Sequence, residues 1–309
     1  MFSGQGSQHY QMGRALYDAN ATFRDGMNRL DLTARECSGR SVVEALYGAS
    51  RKSDLFDRTL LTHPAIFMVE VSLAQCLIDE GLVPDLVLGA SLGSFAAAVI
   101  AGAMGVEDGL RAVIRQAIVL EETCLPGGMI AVLADPVLFR EPFLCESSAL
   151  AGVNFATHFV ISARQGELAV IEGELEERNI GHQRLPVAFP FHSEWIEPAR
   201  APFGAFMQSV VRKRSSLPIV CCDQAEVISD VSGEYFWNVA RRPIRFREAV
   251  SRLEAEGPCR YVDVGPGGTL ATFLKYGLPS GSRSDVRSIM SPWGTDLKNL
   301  ASLLAEREH

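Results

Sequence analysis

The segment GASLG at residues 89–93 constrains the fold of this chain more than any other feature of its 309-residue sequence. The apolar run 84–88 before it predicts a buried strand, and the alanine-rich run 92–103 after it predicts a helix. A strand that turns sharply into a helix needs glycine where the backbone is crowded, and the turn lifts the serine hydroxyl out of the sheet edge. The pattern therefore predicts an α/β fold with Ser91 as a candidate nucleophile. The alternative is an ordinary glycine-flanked turn in which Ser91 only caps the helix.

A serine nucleophile needs a base, which is normally a histidine. Of the six histidines, His63 and His192 lie where chain segments should converge near a sheet edge, and His192 is the better candidate. No aspartate stands out as a third member of a triad. An α/β-hydrolase places its histidine late in the chain, after the acid, whereas over a hundred residues follow His192. The order of residues therefore departs from that of a typical α/β-hydrolase.

The pattern of predicted helices and strands changes between residues 128 and 187. This segment predicts the order β-α-β-β-α-β, which is the split βαβ unit, inserted into a larger α/β body. We therefore expect a large, parallel-sheet, α/β-hydrolase-like catalytic domain made of residues 1–127 and 188–309. The inserted segment 128–187 is expected to form a small ferredoxin-like (βαββαβ) subdomain whose last strand covers residues 182–187. In the large domain we expect helices over residues 63–79 and 244–256, and strands at 84–88, 218–222 and 261–264.

Composition and short motifs exclude several classes of protein. The net charge of −8 argues against general binding to nucleic acid or to an anionic membrane surface, which calls for a basic surface. The seven cysteines include no C-x-x-C pair, so we expect reduced thiols in a cytoplasmic protein and neither disulfides nor a zinc site. The start MFSGQGSQ is not typical of a signal peptide, and the apolar stretch 82–104 is too interrupted to span a membrane. The absence of H-E-x-x-H and of a P-loop predicts no bound metal or nucleotide cofactor.

Five motifs, in order along the chain, resemble those of the malonyl-CoA:acyl carrier protein transacylases and polyketide acyltransferase domains. They are FSGQGSQ (2–8), THPA (62–65), GASLG (89–93), FHS (191–193) and VGPG (264–267). The resemblance implies that Ser91 is acylated and that His192 is its base. It further implies that the backbone N–H groups of Gln5 and Leu92 form the oxyanion hole. A carbonyl that orients the histidine is expected near Asn238 and Val239.

The substrate-binding positions depart from the family pattern. An ungapped count from Ser91 places Gln116 where the family has an arginine that pairs with the malonyl carboxylate, and the neighbouring Arg115 should point about 100° away on a helix. Glutamine cannot replace the bidentate, charge-assisted hydrogen bonds that arginine donates to a carboxylate. Three further changes, Ala90, His63 and Phe189, also make the expected pocket less suited to an anion.

The sequence is most like the acyl-hydrolase branch found beside trans-acyltransferase polyketide synthases. The resemblance implies hydrolysis of acyl thioesters carried on the phosphopantetheine of acyl carrier proteins, which removes stalled chains. The alternatives are a trans-acting acyltransferase that moves malonyl or another acyl group from CoA or a carrier, and an inactive carrier-binding adaptor. We expect a monomer whose partner is an acyl carrier protein. Two basic clusters are expected to contact the carrier, one at 212–214 and one made of Arg241, Arg242, Arg245 and Arg247.

Overall fold

The computed structural model describes residues 1–291 and 293–306, in which the strands form sheets of three, four and two strands. The α-helices are α1 (Arg14–Ala19), α2 (Ala21–Ser38), α3 (Val42–Tyr47), α4 (Thr59–Asp79), α5 (Gly93–Ile100), α6 (Val106–Thr123), α7 (Pro142–Cys145), α8 (Gln165–Glu177), α9 (Arg200–Ser209), α10 (Gly233–Arg241), α11 (Phe246–Glu256), α12 (Thr269–Gly277) and α13 (Asp296–Ala305). The strands are β1 (Val87–Gly89), β2 (Gly127–Val132), β3 (Ala149–Phe155), β4 (His158–Arg164), β5 (His182–Arg184), β6 (Ile219–Cys221), β7 (Glu226–Ile228), β8 (Arg260–Asp263) and β9 (Asp285–Ser288). Two 3-10 helices cover Pro136–Arg140 and Glu194–Ala199.

The first residues of the chain connect the strands of the large α/β body. β1 pairs with β6 in parallel, and β8 pairs with β9 in parallel. Phe2 forms a parallel bridge with Gly89, and its N–H donates to the carbonyl of Leu88 at 2.8 Å. The N–H of Val264 donates to the carbonyl of Met1 at 3.1 Å. The N-terminal segment therefore lies between β1 and β8.

The sheet of the large body is mixed and not purely parallel as the sequence predicted. β7 pairs antiparallel with β6, and neither β7 nor β9 was expected. β7 has only three residues, two of them exposed, and β9 has four half-buried residues in the sequence DVRS. Such short strands lack the apolar run that identifies a buried strand in a sequence.

A four-stranded antiparallel sheet is formed by residues 127–184. Its strand order is β3-β4-β2-β5, and α8 packs against β2 and β4. The apolar side of this unit has its own core, which includes Ile130, Phe159 and Ile171. The last strand ends at Arg184, earlier than the expected Val187.

Two helix boundaries differ from the expected ones for identifiable reasons. The helix expected to begin near His63 begins at Thr59 and contains Pro64, so this proline did not mark the helix start. The helix expected from Ile244 begins at Phe246, because Ile244 instead pairs with the β3 strand. Its N–H donates to the carbonyl of Ala151 at 2.7 Å, which ties the large body to the small sheet.

Helix α4 is long and apolar enough to cross a membrane by length and composition alone. In the fold, however, 83% of its most apolar 18-residue stretch is buried inside the protein. It packs against α2, α5 and α6. The buried helix of a protein core passes the same test, so the length and composition of α4 are weak evidence for a membrane span.

Candidate active site

Ser91 lies in the turn between β1 and α5, and both flanking glycines are required there. A Cβ on Gly89 would lie 2.5 Å from the Cα of Ser94, and a Cβ on Gly93 would lie 2.2 Å from the carbonyl oxygen of Phe2. Ser91 itself has a φ of 53°, which an L-residue adopts only at a cost. The backbone thus holds the serine at the sheet edge in a strained turn, as the sequence predicted for a candidate nucleophile.

His192 is in contact with Ser91 and is held in place through its other ring nitrogen. Its Nε2 lies 2.9 Å from the Oγ of Ser91, and its Nδ1 lies 2.7 Å from the carbonyl oxygen of Arg242. The backbone N–H of His192 donates to the carbonyl of Ala240 at 2.9 Å, and its φ is 60°. Because the carbonyl can only accept, Nδ1 carries the proton and Nε2 is free to accept one from the serine.

The expectation of an orienting carbonyl near Asn238 and Val239 was therefore wrong by a few residues. Helix α10 ends at Arg241, and Arg242 has an extended backbone because Pro243 follows it. The carbonyl of Arg242 consequently leaves the helix and is free to accept from His192. The carbonyl of Asn238 is used inside the helix end, where it accepts the Arg242 N–H at 2.8 Å.

Burial keeps His192 neutral. The side chain is only 3% exposed, and this desolvation lowers the pKa of His192 to about 4, although the Arg242 carbonyl partly opposes the change. The imidazole is therefore uncharged near pH 7, which is the form in which it can take a proton.

Two backbone N–H groups lie beside the serine without a partner. A Cβ on Gly4 would be 3.0 Å from the Cβ of Ser91 and 3.6 Å from the nitrogen of Leu92, so the loop that carries Gln5 abuts the serine turn. Among the described residues, neither the Gln5 nor the Leu92 N–H donates a hydrogen bond. Both are thus available to an oxygen bound next to Ser91, and their role as an oxyanion hole stays a prediction.

A cavity of about 290 Å³ opens at Ser91 and His192. Residues from both the large body and the small sheet line it, among them Met129 and Val160. Of the described residues that line it, none is an aspartate, glutamate, lysine or arginine. A bound group therefore meets apolar walls and neutral polar side chains only.

Gln116 and His63 both line this cavity. They are 2% and 1% exposed, and neither the Gln116 Nε2 nor the two ring nitrogens of His63 have a hydrogen-bond partner. Burial lowers the pKa of His63 to about 3, so its ring is neutral at physiological pH. Arg115 is half-buried and does not line the cavity, which agrees with its expected direction on helix α6.

Of the other two expected substrate contacts, the structure places one in the cavity and not the other. Ala90 lines the cavity, but Phe189 does not. Phe189 is buried in the core and packs at 85° against Phe191, which is the ring that faces the cavity and lies 5.5 Å from His63. The chain turns between the two rings, where the Phe191 N–H donates to the Phe189 carbonyl at 3.0 Å. A role of Phe189 in substrate binding stays a prediction.

Sequence reasoning also missed the contribution of the small sheet to the cavity wall. Asn154 on β3 and His158 on β4 both line the cavity, and the Asn154 Nδ2 lies 3.1 Å from the His158 Nδ1. No motif marks either residue. The pairing of Ile244 with β3 and the hydrogen bond from the Ser162 Oγ on β4 to the Phe191 carbonyl help to bring this sheet to the serine. Such long-range contacts are not visible in a single sequence.

Three of the arginines expected to contact a partner have acidic neighbours. Arg241 pairs with Glu197 at 3.0 Å, Arg242 lies 3.7 Å from Asp223, and Arg245 pairs with Glu248. In the second cluster, Arg212 donates to backbone carbonyls. Acidic side chains therefore balance much of the positive charge of Arg241, Arg242 and Arg245, whereas the neutral carbonyls that accept from Arg212 do not balance its charge.

All seven cysteines are free. Over residues 1–291 and 293–306, no group of three or more histidine, cysteine, aspartate or glutamate side chains could hold a metal ion. The terminal histidine, His309, lies outside the described residues.

Comparisons with known proteins agree on one family. The protein-family model for the acyl transferase domain matches residues 1–308. The polyketide biosynthesis acyltransferase homolog BaeD of Bacillus velezensis is 43% identical over 305 residues, with 98% of this chain and 94% of that protein covered. The homolog PksD of Bacillus subtilis is 42% identical over 302 residues, with 97% and 93% covered.

Solved structures show the same fold. An acyltransferase domain from the second module of the salinomycin polyketide synthase has a TM-score of 0.85 at 28% identity, covering 97% of this chain and 70% of that one. A loading acyltransferase of the avermectin synthase has a TM-score of 0.90 at 24% identity, covering 100% and 98%. MCAT from Streptococcus pneumoniae has a TM-score of 0.79 at 25% identity, covering 99% and 98%.

Proposed function

The chain belongs to the acyl transferase domain family, as its motifs predicted, and from that premise we propose that it hydrolyses acyl thioesters carried on acyl carrier proteins. It is an acyltransferase-family enzyme with the α/β fold of that family. Two relatives over 40% identical are named as acyltransferase homologs of polyketide biosynthesis, and we assign this chain to the same kind of pathway. In this role it would release acyl chains that have stalled on their carriers.

The proposed reaction has two steps. His192 takes the proton from the Ser91 Oγ, which attacks the thioester carbon, while the N–H groups of Gln5 and Leu92 stabilise the negative oxygen. The thiol of the phosphopantetheine leaves with the proton from His192. Water then attacks the acyl-Ser91 ester, with His192 again as the base, and releases a free acid. The 2.9 Å contact between Ser91 and His192 supports the proton transfer.

The uncharged cavity is the observation that carries the proposal. The malonyl transferases of the family need a cation for the malonyl carboxylate, and no lysine or arginine is among the described residues lining this cavity. Burying a carboxylate without a charged partner costs several kcal/mol, on the order of a thousandfold or more in binding. A neutral acyl group has no such cost, so the site favours acyl chains without a second carboxylate.

Two other functions follow from the same fold. A trans-acting acyltransferase would hand the acyl group from Ser91 to a second carrier or to CoA instead of to water. An inactive carrier-binding adaptor would need no reactive serine, and the hydrogen bond between Ser91 and His192 argues against it.

The domain division, the partner, the oligomeric state and the location of the enzyme are part of the same proposal. We divide the chain into a large catalytic body, 1–127 and 188–309, and a ferredoxin-like subdomain, 128–187, on the basis of the separate core and antiparallel sheet of the latter. The partner is an acyl carrier protein that presents its substrate on phosphopantetheine. We expect a cytoplasmic monomer that needs no bound cofactor.

Incubation with acyl carrier protein bearing a butyryl group tests the proposal, with intact mass of the carrier as the readout. We expect the wild-type protein to return the carrier to its free-thiol form, with butyrate released. Ser91→Ala should lower this rate by at least about a thousandfold, because the nucleophile is lost. Retention of the rate in Ser91→Ala would contradict the mechanism.

A further inference from the structure

Three side chains that line the cavity carry buried polar atoms without hydrogen-bond partners. These atoms are the two ring nitrogens of His63, the Nε2 of Gln116 and the Oε1 of Gln5. His63 and Gln116 are at least 98% buried. Buried polar atoms are nearly always hydrogen-bonded, and each unpaired one destabilises the fold. Three such side chains around one cavity indicate that a bound molecule pairs with them.

The unpaired atoms define the chemistry of that molecule. Neutral His63 offers one N–H donor and one acceptor nitrogen, and the Gln116 amide nitrogen is a donor. The Gln5 Nε2 already donates to the Thr62 Oγ1 at 2.8 Å, which leaves its Oε1 as an acceptor. The set therefore holds both donors and acceptors and no charge. A hydroxyl group, which donates one hydrogen bond and accepts others, complements it better than a carboxylate, which only accepts, or an alkyl group, which does neither.

We infer that this enzyme selects acyl chains that carry a hydroxyl group close to the thioester, recognised by His63 and Gln116 with Gln5. The inference rests on the proposed function, because it takes the cavity to be the acyl-binding site. Because these side chains line the same cavity as Ser91, the hydroxyl would lie within the first few carbons of the chain. The carbon chain itself would lie against the apolar part of the lining, which includes Met129, Ala131, Val160, Leu185, Phe246 and Phe273.

The rate at which Ser91 becomes acylated tests this inference. Pantetheine thioesters of butyrate and of each enantiomer of 3-hydroxybutyrate are mixed with the full chain, and acyl-Ser91 is followed by intact mass. We expect one hydroxy enantiomer to load at least about tenfold faster than butyrate, since one buried hydrogen-bonding group is worth about that factor. Gln116→Met and His63→Phe should each lower this ratio several-fold.

A matched variant and the use of a ratio control for structural damage. Gln75→Met changes the same residue type on the exposed side of α4, outside the cavity, and should keep the wild-type ratio. Because the readout is a ratio between two substrates of one variant, a uniform loss of folded protein does not change it.

Equal loading of butyrate and both hydroxy enantiomers by the wild-type protein would overturn the inference. A ratio that stays the same in Gln116→Met and His63→Phe would also overturn it, even if both variants released every acyl group more slowly. Slower release by both variants at an unchanged ratio would mean that the polar atoms serve the attacking water. Loading precedes both hydrolysis and transfer, so delivery of acyl-Ser91 to a carrier would refute the proposed hydrolysis and leave the hydroxyl preference standing.

Discussion

We propose that Gln116 is one of the side chains that select the acyl group at this site. The residue lies on α6, lines the cavity and has no cation beside it among the described lining residues. An ungapped count from Ser91 predicted that Gln116 would lie at the substrate, and the residue does line the cavity from α6. Its match to the arginine of the family stays a prediction. Ser91 and His192 were likewise predictable, since each belongs to a local motif.

Gln116→Arg should make malonyl a better substrate. The guanidinium would supply the missing cation, and we expect malonyl loading of Ser91 to rise about ten- to a hundredfold, measured by intact mass with malonyl-CoA. Arg115→Gln, one position away and outside the cavity, serves as the control and should leave malonyl loading unchanged. No gain in Gln116→Arg, in a variant that still loads butyryl groups, would show that this position does not exclude malonate.

Other residues of the site could not be predicted in the same way. The carbonyl that holds His192 belongs to Arg242, and its position depends on where α10 ends. The cavity wall depends on Phe191 instead of Phe189, and that choice depends on a turn in the chain. Both features are set by backbone geometry over several residues, which a motif does not record.

At the scale of elements, the turn from β1 into α5 builds the site. Its strand, turn and helix follow the predicted order because an apolar run, two glycines and an alanine-rich run leave few other conformations. The short strands β7 and β9 were missed because too little of each is buried to leave a pattern. The strength of a local signal therefore follows the amount of apolar surface that the element buries.

Gly93→Ala should disrupt this turn severely. The new methyl group would lie 2.2 Å from the carbonyl oxygen of Phe2, which is backbone and cannot rotate away. We expect a loss of at least about 3 kcal/mol in the free energy of unfolding, measured by urea denaturation, or no folded protein. Gly204→Ala is the matched control, because a Cβ there on helix α9 meets nothing within 4 Å, and it should stabilise the protein by up to about 1 kcal/mol. Equal stability of the two variants would contradict the packing described for the turn.

At the scale of the whole molecule, the site exists only where the large body meets the small sheet. The backbone of Ile244 pairs with β3, and residues of that sheet complete the cavity around Ser91. The order of elements was largely predictable from the sequence, whereas the contact between the two units was not, because it joins residues nearly a hundred positions apart.

Burial of His63 makes the stability of the fold depend on pH. Its pKa is about 3 in the folded protein, because of desolvation, and about 6.5 in an unfolded chain. Between these values the unfolded state binds a proton that the folded state does not, so stability is lost as the pH falls below about 6.5. From pH 7 to pH 5 this residue alone should cost roughly 2 kcal/mol.

His63→Gln should remove the part of the pH dependence of stability that His63 causes. Urea denaturation at pH 7 and pH 5 measures it, and the loss of stability on acidification should be smaller by roughly 2 kcal/mol in the variant. His192, whose pKa is about 4, contributes the same in both proteins and does not affect the difference. An identical loss in the two proteins would mean that His63 is not held neutral in the fold.

The fate of the acyl group on Ser91 tests the central claim most directly. Wild-type protein is loaded with a butyryl group, mixed with an excess of carrier protein bearing a free phosphopantetheine thiol, and followed by intact mass of both proteins. Hydrolysis predicts that most of the acyl group appears as free butyrate, at a rate that does not depend on the concentration of the carrier. Appearance of most of the butyryl group on the carrier would contradict the account and identify the protein as an acyltransferase.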